Sequence, residues 1–83
     1  MMVDKNKLRT FCKTWLFING RCTSSQLADA YNQIGFEKHE ISSKIVGAFL
    51  SNEFRKKNYG QTTILQDLDW EYEEHSKRKV WFI

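Results

Sequence analysis

The spacing of the apolar residues changes once along this chain, and that change limits the fold more than any composition figure does. Up to about residue 57 they recur every three or four positions, the period of a helix with one buried side. After "NYGQT" at 58–62 the period becomes two. Leu68, Trp70 and Tyr72 alternate with Asp67, Asp69, Glu71 and Glu73, the pattern of a half-buried strand. "EEHSKR" breaks the pattern, and "KVWFI" closes the chain as a second β-branched and aromatic strand. Helices followed by a hairpin make an α+β chain. With 83 residues there is room for one modest core, so residues 1–83 are expected to form a single domain.

Within the helical part, punctuation separates three segments. The first runs from about Asp4 to Asn19, with Leu8, Phe11, Cys12, Trp15 and Ile18 as its core stripe, and Gly20 stops it. A short extended piece, Arg21-Cys22, follows and is a candidate strand. In "TSSQ", Thr23 is an N-cap and Gln26, three residues on, completes a capping box. The second helix then carries Leu27, Tyr31 and Ile34 inward, Ala28 and Ala30 allow close packing, and Gly35 ends it. Ser24 and Ser25 are expected to be exposed at its start, where outward backbone amides offer an anion site. The third segment follows the turn "GFEKH" and runs to about Lys57. Ile41, Ile45, Val46 and Phe49 fall on one side of it, and Glu40, Ser43, Lys44, Gly47 and Ser51 on the other. Serine and glycine are poor helix formers, so that second side suits a large partner that comes very close. There is no proline to break any of these helices.

Charge narrows the partner. The net charge is +3 and the pI near 9.0, compatible with a polyanion. The bases are grouped: Lys5, Lys7, Arg9, Lys13 and Arg21 near the start, Arg55, Lys56 and Lys57 at the end of helix three, and Lys77, Arg78 and Lys79 beside His75 and Ser76 at the hairpin tip. The last cluster suits a phosphate or minor-groove contact. Paired across the hairpin with Glu71, Glu73 and Glu74, the same bases would contribute little. No apolar run reaches the roughly 20 residues of a membrane span, and "MMVDKNKLRT" is too charged for a signal peptide. A soluble cytoplasmic protein is the expectation. Cys12 and Cys22 lack metal-ligand spacing with His39 or His75, so Cys12 reads as a small buried hydrophobe and no metal or other cofactor is expected. The alternating acids have no nucleophile or histidine among them, and no glycine loop cradles a phosphate. The chain does not read as an enzyme and implies no small-molecule substrate.

The stretches "TSSQLADAYNQIGFEKHEISSKIVGAFLSNEF" and "ILQDLDWEYEEHSKRKVWFI" together resemble the winged helix-turn-helix superfamily, over about residues 6–83. The first looks like its capped helix, glycine turn and second helix, and the second like its wing. Arg21-Cys22 sits where such folds commonly have a strand that pairs with the wing. Small bacterial and phage regulators of this size, pilus-operon co-regulators among them, end in a similar aromatic wing strand. One departure is a longer and more charged turn before helix three. The resemblance implies binding of double-stranded DNA, with helix three in the major groove and Lys38, His39, Glu40, Ser43, Lys44, Gly47 and Ser51 facing base edges. It also implies a role in transcription as a regulator or co-regulator. That outward face carries no arginine, asparagine or glutamine for a bidentate base contact, so a homodimer, a co-regulator or weak shape-based binding is favoured over specific readout by a lone monomer. The alternative is a winged-helix module of the phage inhibitor or adaptor type that binds a host protein through its acidic strand face and exposed aromatics. Phe17, off the core stripe of helix one, and Trp81, on one face of the last strand, are the candidate protein contacts.

Overall fold

In the computed structural model, which describes residues 3–83, the first helix starts where Asp4 accepts the backbone N–H groups of Asn6 and Lys7. Met1 and Met2, the head of the charged N-terminal stretch, lie outside the described residues. This helix, α1 (Lys5–Asn19), ends at Gly20, whose positive φ returns its N–H to the Leu16 carbonyl. A two-residue strand, β1 (Cys22–Thr23), leads directly into α2 (Ser24–Ile34). Both halves of the expected capping box are formed: Thr23 Oγ1 accepts the Gln26 N–H, and the Gln26 side chain accepts the Thr23 N–H. Gly35, in the left-handed region, ends the helix. Then come α3 (Ser43–Asn58), β2 (Asp69–Tyr72) and β3 (Lys79–Phe82). The result is a small α+β domain of three helices and a three-stranded antiparallel sheet in the order β1-β3-β2.

The extended piece expected at Arg21-Cys22 therefore forms one residue later, and it pairs with the final strand, Cys22 against Trp81 and Thr23 against Val80. On the other side of β3, Asp69, Trp70, Glu71 and Tyr72 pair with Phe82, Trp81, Val80 and Lys79. Cross-strand partners share a face, so Cys22, Trp70 and Trp81 lie together on the side turned to the helices. The core gathers there: Trp81, Leu8, Cys12, Leu16, Leu27, Tyr31, Val46, Leu50, Leu65 and Leu68 are almost wholly buried.

Three expected core positions move. In α1 the buried seam is Leu8, Phe11, Cys12 and Leu16, while Trp15 is half-buried and Ile18 is 70% exposed. The seam follows where α2 and β3 press on α1, and the last turn overhangs that contact. For the same reason Ile34, in the last turn of α2, is 52% exposed. Asp67 also leaves the strand, for a turn over 64–67 that buries Leu65.

Helix three begins at Ser43, later than the apolar spacing suggests. Asn32 on α2 explains the delay: its side chain accepts the Ile41 N–H and donates to the Ile41 carbonyl, both at 2.9 Å. Those two bonds occupy the groups that an earlier helical turn would need. Ser42 then caps the helix by accepting the Ile45 N–H.

Glu53, on α3, is the one buried charged side chain among the described residues, at 1% exposure. Its carboxylate accepts from the Arg9 guanidinium on α1, from Lys56 at 2.9 Å and from Thr63 Oγ1 at 2.8 Å. Helix one, helix three and the loop into β2 are thereby tied at one point. Burial alone would raise the Glu53 pKa, but the bonds from Arg9, Lys56 and Thr63 outweigh it and hold the carboxyl at about 2 rather than 4.5.

A carboxyl with a lowered folded-state pKa stabilises the fold fully above its unfolded value. That contribution, about 3 kcal/mol at 1.36 kcal/mol per pKa unit, should be lost as pH falls from about 4.5 to about 2. Glu53→Gln should cost roughly 3 kcal/mol at neutral pH, since it leaves Arg9 and Lys56 around an uncharged buried group, and should flatten the acid limb of stability against pH. Leu27→Ala should cost roughly 2–5 kcal/mol in urea denaturation. Ile45→Ala should cost clearly less, because Ile45 is only half-buried.

Candidate nucleic-acid interface

The late start of α3 resets its outward face. From Ser43, a helical period brings Ser43, Lys44, Ala48, Asn52 and Arg55 to solvent, with Ser51 half-buried beside them. Lys38 and His39 are exposed but lie in the turn before the helix, and so does Glu40. They are not on the surface α3 would offer to a groove. The same shift removes the one acid expected there. It also overturns the expectation that the face carries no arginine or asparagine, since Asn52 and Arg55 stand on it. The signal for both was in the sequence: counted from a cap at Ser42 the stripe is 44, 48, 52 and 55, but the cap depended on Asn32 holding Ile41.

Gly47 has a different task from the one expected. A Cβ at Gly47 would meet Ser24 Oγ at 3.2 Å, tighter than ordinary contact. Gly47 is therefore half-buried against the start of α2, where it lets the two helices approach. Ser24 is not an open anion site either. It is half-buried, and its hydroxyl accepts the Trp81 indole N–H at 3.1 Å. Ser25 is exposed, but it lines a groove of about 940 Å³ whose walls carry Asp29, Glu71, Glu73 and Glu74 against Arg21 and Arg78. That excess of negative charge disfavours a phosphate at Ser25.

Trp81 is a correction of the same kind. It was expected on an exposed strand face as a protein contact, but it is 1% exposed and fills the core between the sheet and the helices. The reason is the helix layer: α1 and α2 pack on the sheet face that Trp81 shares with Cys22 and Trp70, and Ser24 accepts the indole N–H there. Phe17 is 83% exposed, so that candidate remains on the surface.

At the hairpin tip, Glu73 and Arg78 close a four-residue loop through the Glu73 N–H, which donates to the Arg78 carbonyl at 2.8 Å. Ser76 Oγ donates to the Glu73 carboxylate, and the Lys77 N–H donates to the Glu73 carbonyl. His75, Ser76, Lys77 and Arg78 are all exposed. Among the described residues, Lys77 and Arg78 form no ion pair; Glu71 pairs with Arg21 instead. Lys79 belongs to the strand rather than the tip. It is half-buried, its ammonium lying 4.3 Å from the Trp70 ring centre and 5.4 Å from that of Trp81.

A second basic surface borders the outward stripe of α3, where two basic clusters that are separate in the sequence come together. A groove of about 700 Å³ between α1 and α3 is rimmed by Lys5, Arg9, Arg55 and Lys56, with Asn52 and Tyr59 beside them. Its one acid, Glu53, is buried and engaged by Arg9 and Lys56. The field outside that groove is therefore positive. Lys57, by contrast, donates to the Leu68 carbonyl at 3.2 Å and lies over the Phe54 ring.

The thiols offer no chemistry in this arrangement. Both cysteines are free and buried; burial pushes Cys12 up to about 12 and also raises Cys22. Among the described residues no group of three or more His, Cys, Asp or Glu side chains is placed to hold a metal. No helix among them is long and apolar enough to cross a membrane.

The chain matches no protein-family model, and neither a curated protein nor a solved structure is significantly similar to it.

Among the described residues, Lys77 is the one other than glycine with positive φ, at 55°. Lys77→Gly should therefore keep the tip closed and raise stability by up to about 1 kcal/mol. Lys77→Val, a β-branched residue in the left-handed region, should lower it. Thermal melts of the two variants, read against the unsubstituted chain, provide the comparison.

Proposed function

We propose that this chain is a small winged helix-turn-helix protein that binds double-stranded DNA, as a transcriptional regulator or co-regulator. The observation that carries the reading is the outward stripe of α3. Lys44, Asn52 and Arg55 stand exposed on one helix side with no acid between them, and Ser43 and Ser51 flank them. Arginine and lysine suit guanine edges and asparagine suits adenine, so the stripe carries the bidentate chemistry of major-groove readout. The element order and the strand order β1-β3-β2 support the family reading, since the resemblance implies a strand after helix one that pairs with the wing.

In this reading the contacts divide by role. Asn52 and Arg55 on α3 meet base edges, while Lys44 meets a phosphate or a guanine edge. Lys77 and Arg78 at the wing tip, and Lys5 at the rim of the α1–α3 groove, meet phosphates and set the register. Lys38, His39, Ser24 and Gly47 take no direct part. A second reading, a winged-helix module for a protein partner, is favoured by the exposed acids of β2 and its border, Asp69, Glu71 and Glu73, which alternate onto one face of the sheet. Such a surface repels DNA and suits a basic protein partner.

The deciding experiment is a titration of random-sequence duplex DNA between about 50 and about 200 mM salt. A steep loss of affinity with salt is expected, and each phosphate contact removed should lower the slope of log K against log salt by about 1. Arg78→Ala combined with Lys77→Gly should therefore reduce the slope by about 2 with the fold intact. Arg55→Ala should cost roughly 1–3 kcal/mol on a selected site and relax its sequence preference. Absence of binding at the lowest salt would overturn this reading in favour of the protein-binding module.

A further inference from the structure

The groove of about 700 Å³ between α1 and α3 holds apolar side chains and cations side by side. That volume falls in the range of small-ligand sites, about 300–1,000 Å³. On the α3 wall the lining is polarised. Ile45, Ala48 and Phe49 come from the first half of the helix, and Arg55, Lys56 and Tyr59 from its end. Ala48 and Arg55 are both exposed and stand about two turns apart, roughly 10 Å along the axis.

The charges of the groove are not balanced from within. Glu53 is the one acid among its described lining residues, and Arg9 and Lys56 already meet it. Among the described residues Lys5 and Arg55 form no ion pair. A guanidinium in that state accepts a carboxylate as a partner through two parallel N–H bonds. The phenol of Tyr59, 81% exposed on the same wall, is a further donor.

We propose that this groove binds a single-chain carboxylate of medium length, its chain along Ile45, Ala48 and Phe49 and its carboxylate at Arg55, in the field of Lys5. Charge complementarity selects an anion. The apolar half of the wall separates this ligand from a bare phosphate, which gains nothing from apolar contact. A protein segment is disfavoured by area. Leu8 is 1% exposed and Phe49 9%, so the floor shows only the edges of its larger side chains. A stable protein contact takes roughly 800 Å² from each side. The ligand is held and released unchanged, with no bond formed or broken. Arg55 also stands on the stripe assigned to base edges, so an occupied groove excludes DNA there. That consequence rests on the DNA reading, whereas the site itself does not.

Amide shifts of the isotope-labelled full chain, followed by NMR during a titration with octanoate to about 3 mM, test the site. The expected result is saturable shifts at Ala48, Asn52 and Arg55, with a dissociation constant on the order of 1 mM or below. Octanol keeps the chain without the charge, and acetate the charge without the chain. Each should bind at least about tenfold more weakly than octanoate. Arg55→Glu should weaken octanoate by about tenfold. Lys13→Glu, the same change of net charge at an exposed position outside the groove, should leave it unchanged. Both substituted residues are exposed, so circular dichroism should show the same helix content in all three chains. Absence of saturable shifts, or shifts centred elsewhere, overturns the site. Octanol binding as well as octanoate overturns the anionic ligand, and acetate binding as well overturns the part given to the apolar wall. Equal weakening by the two variants overturns the placing of the carboxylate at Arg55. No nucleic acid enters this titration, so its failure is separate from a failure of the DNA reading.

Discussion

An indole has one polar atom, and burying it requires an acceptor. Trp81 lies at the centre of this fold, almost wholly buried, and its N–H is satisfied by the hydroxyl of Ser24, 57 residues earlier in the chain. That bond fixes three things together. It holds the start of α2 against the last strand, and it aligns with the register in which Cys22 opposes Trp81. It also sets Ser24 where α3 must pass, so that only a glycine fits comfortably at position 47. The sheet, the second helix and the third helix thus share one reference point made of two side chains and a missing one.

From that point the position of the outward surface follows. Asn32 keeps Ile41 out of α3, Ser42 caps it, and the helix turns Asn52 and Arg55 outward in place of Lys38, His39 and Glu40. Two hydrogen bonds from one asparagine, each worth about 1 kcal/mol, therefore decide which residues α3 turns to solvent. The buried Glu53 cluster supports the same helix from behind, joining α1 and the loop to β2 with Arg9, Lys56 and Thr63.

The surface divides into regions of different chemistry. The α1–α3 groove is positive because the one acid among its described lining residues is internal and already engaged. The groove between the start of α2 and the wing is rich in acids. The corner formed by the ends of α1 and α2 is mainly apolar, with Lys7 as its one charged lining residue among those described. Such a division lets one small domain meet a polyanion on one side and a protein surface on another without the two competing for the same residues. It also gives a net charge of +3 less meaning than its distribution.

Local chemistry was legible in the sequence by itself. The period change at residues 58–62, the Thr23–Gln26 capping box, the glycine stops at Gly20 and Gly35 and the exposure of Phe17 all depend on near neighbours and helical geometry, and all stand as the residues suggest. The short strand was legible to within one residue, because an extended pair between a glycine stop and a cap has few alternatives. What only the tertiary structure decided were matters of which surface touches which. Trp81 faces inward because α1 and α2 pack on the sheet face that it shares with Cys22 and Trp70. Ser24 and Gly47 serve packing because α3 crosses the start of α2, and Ile18 and Ile34 stay outside because the helix contacts end a turn before they do. Periodicity says that a helix has a buried side, but the direction of that side is set by partners far away in the chain.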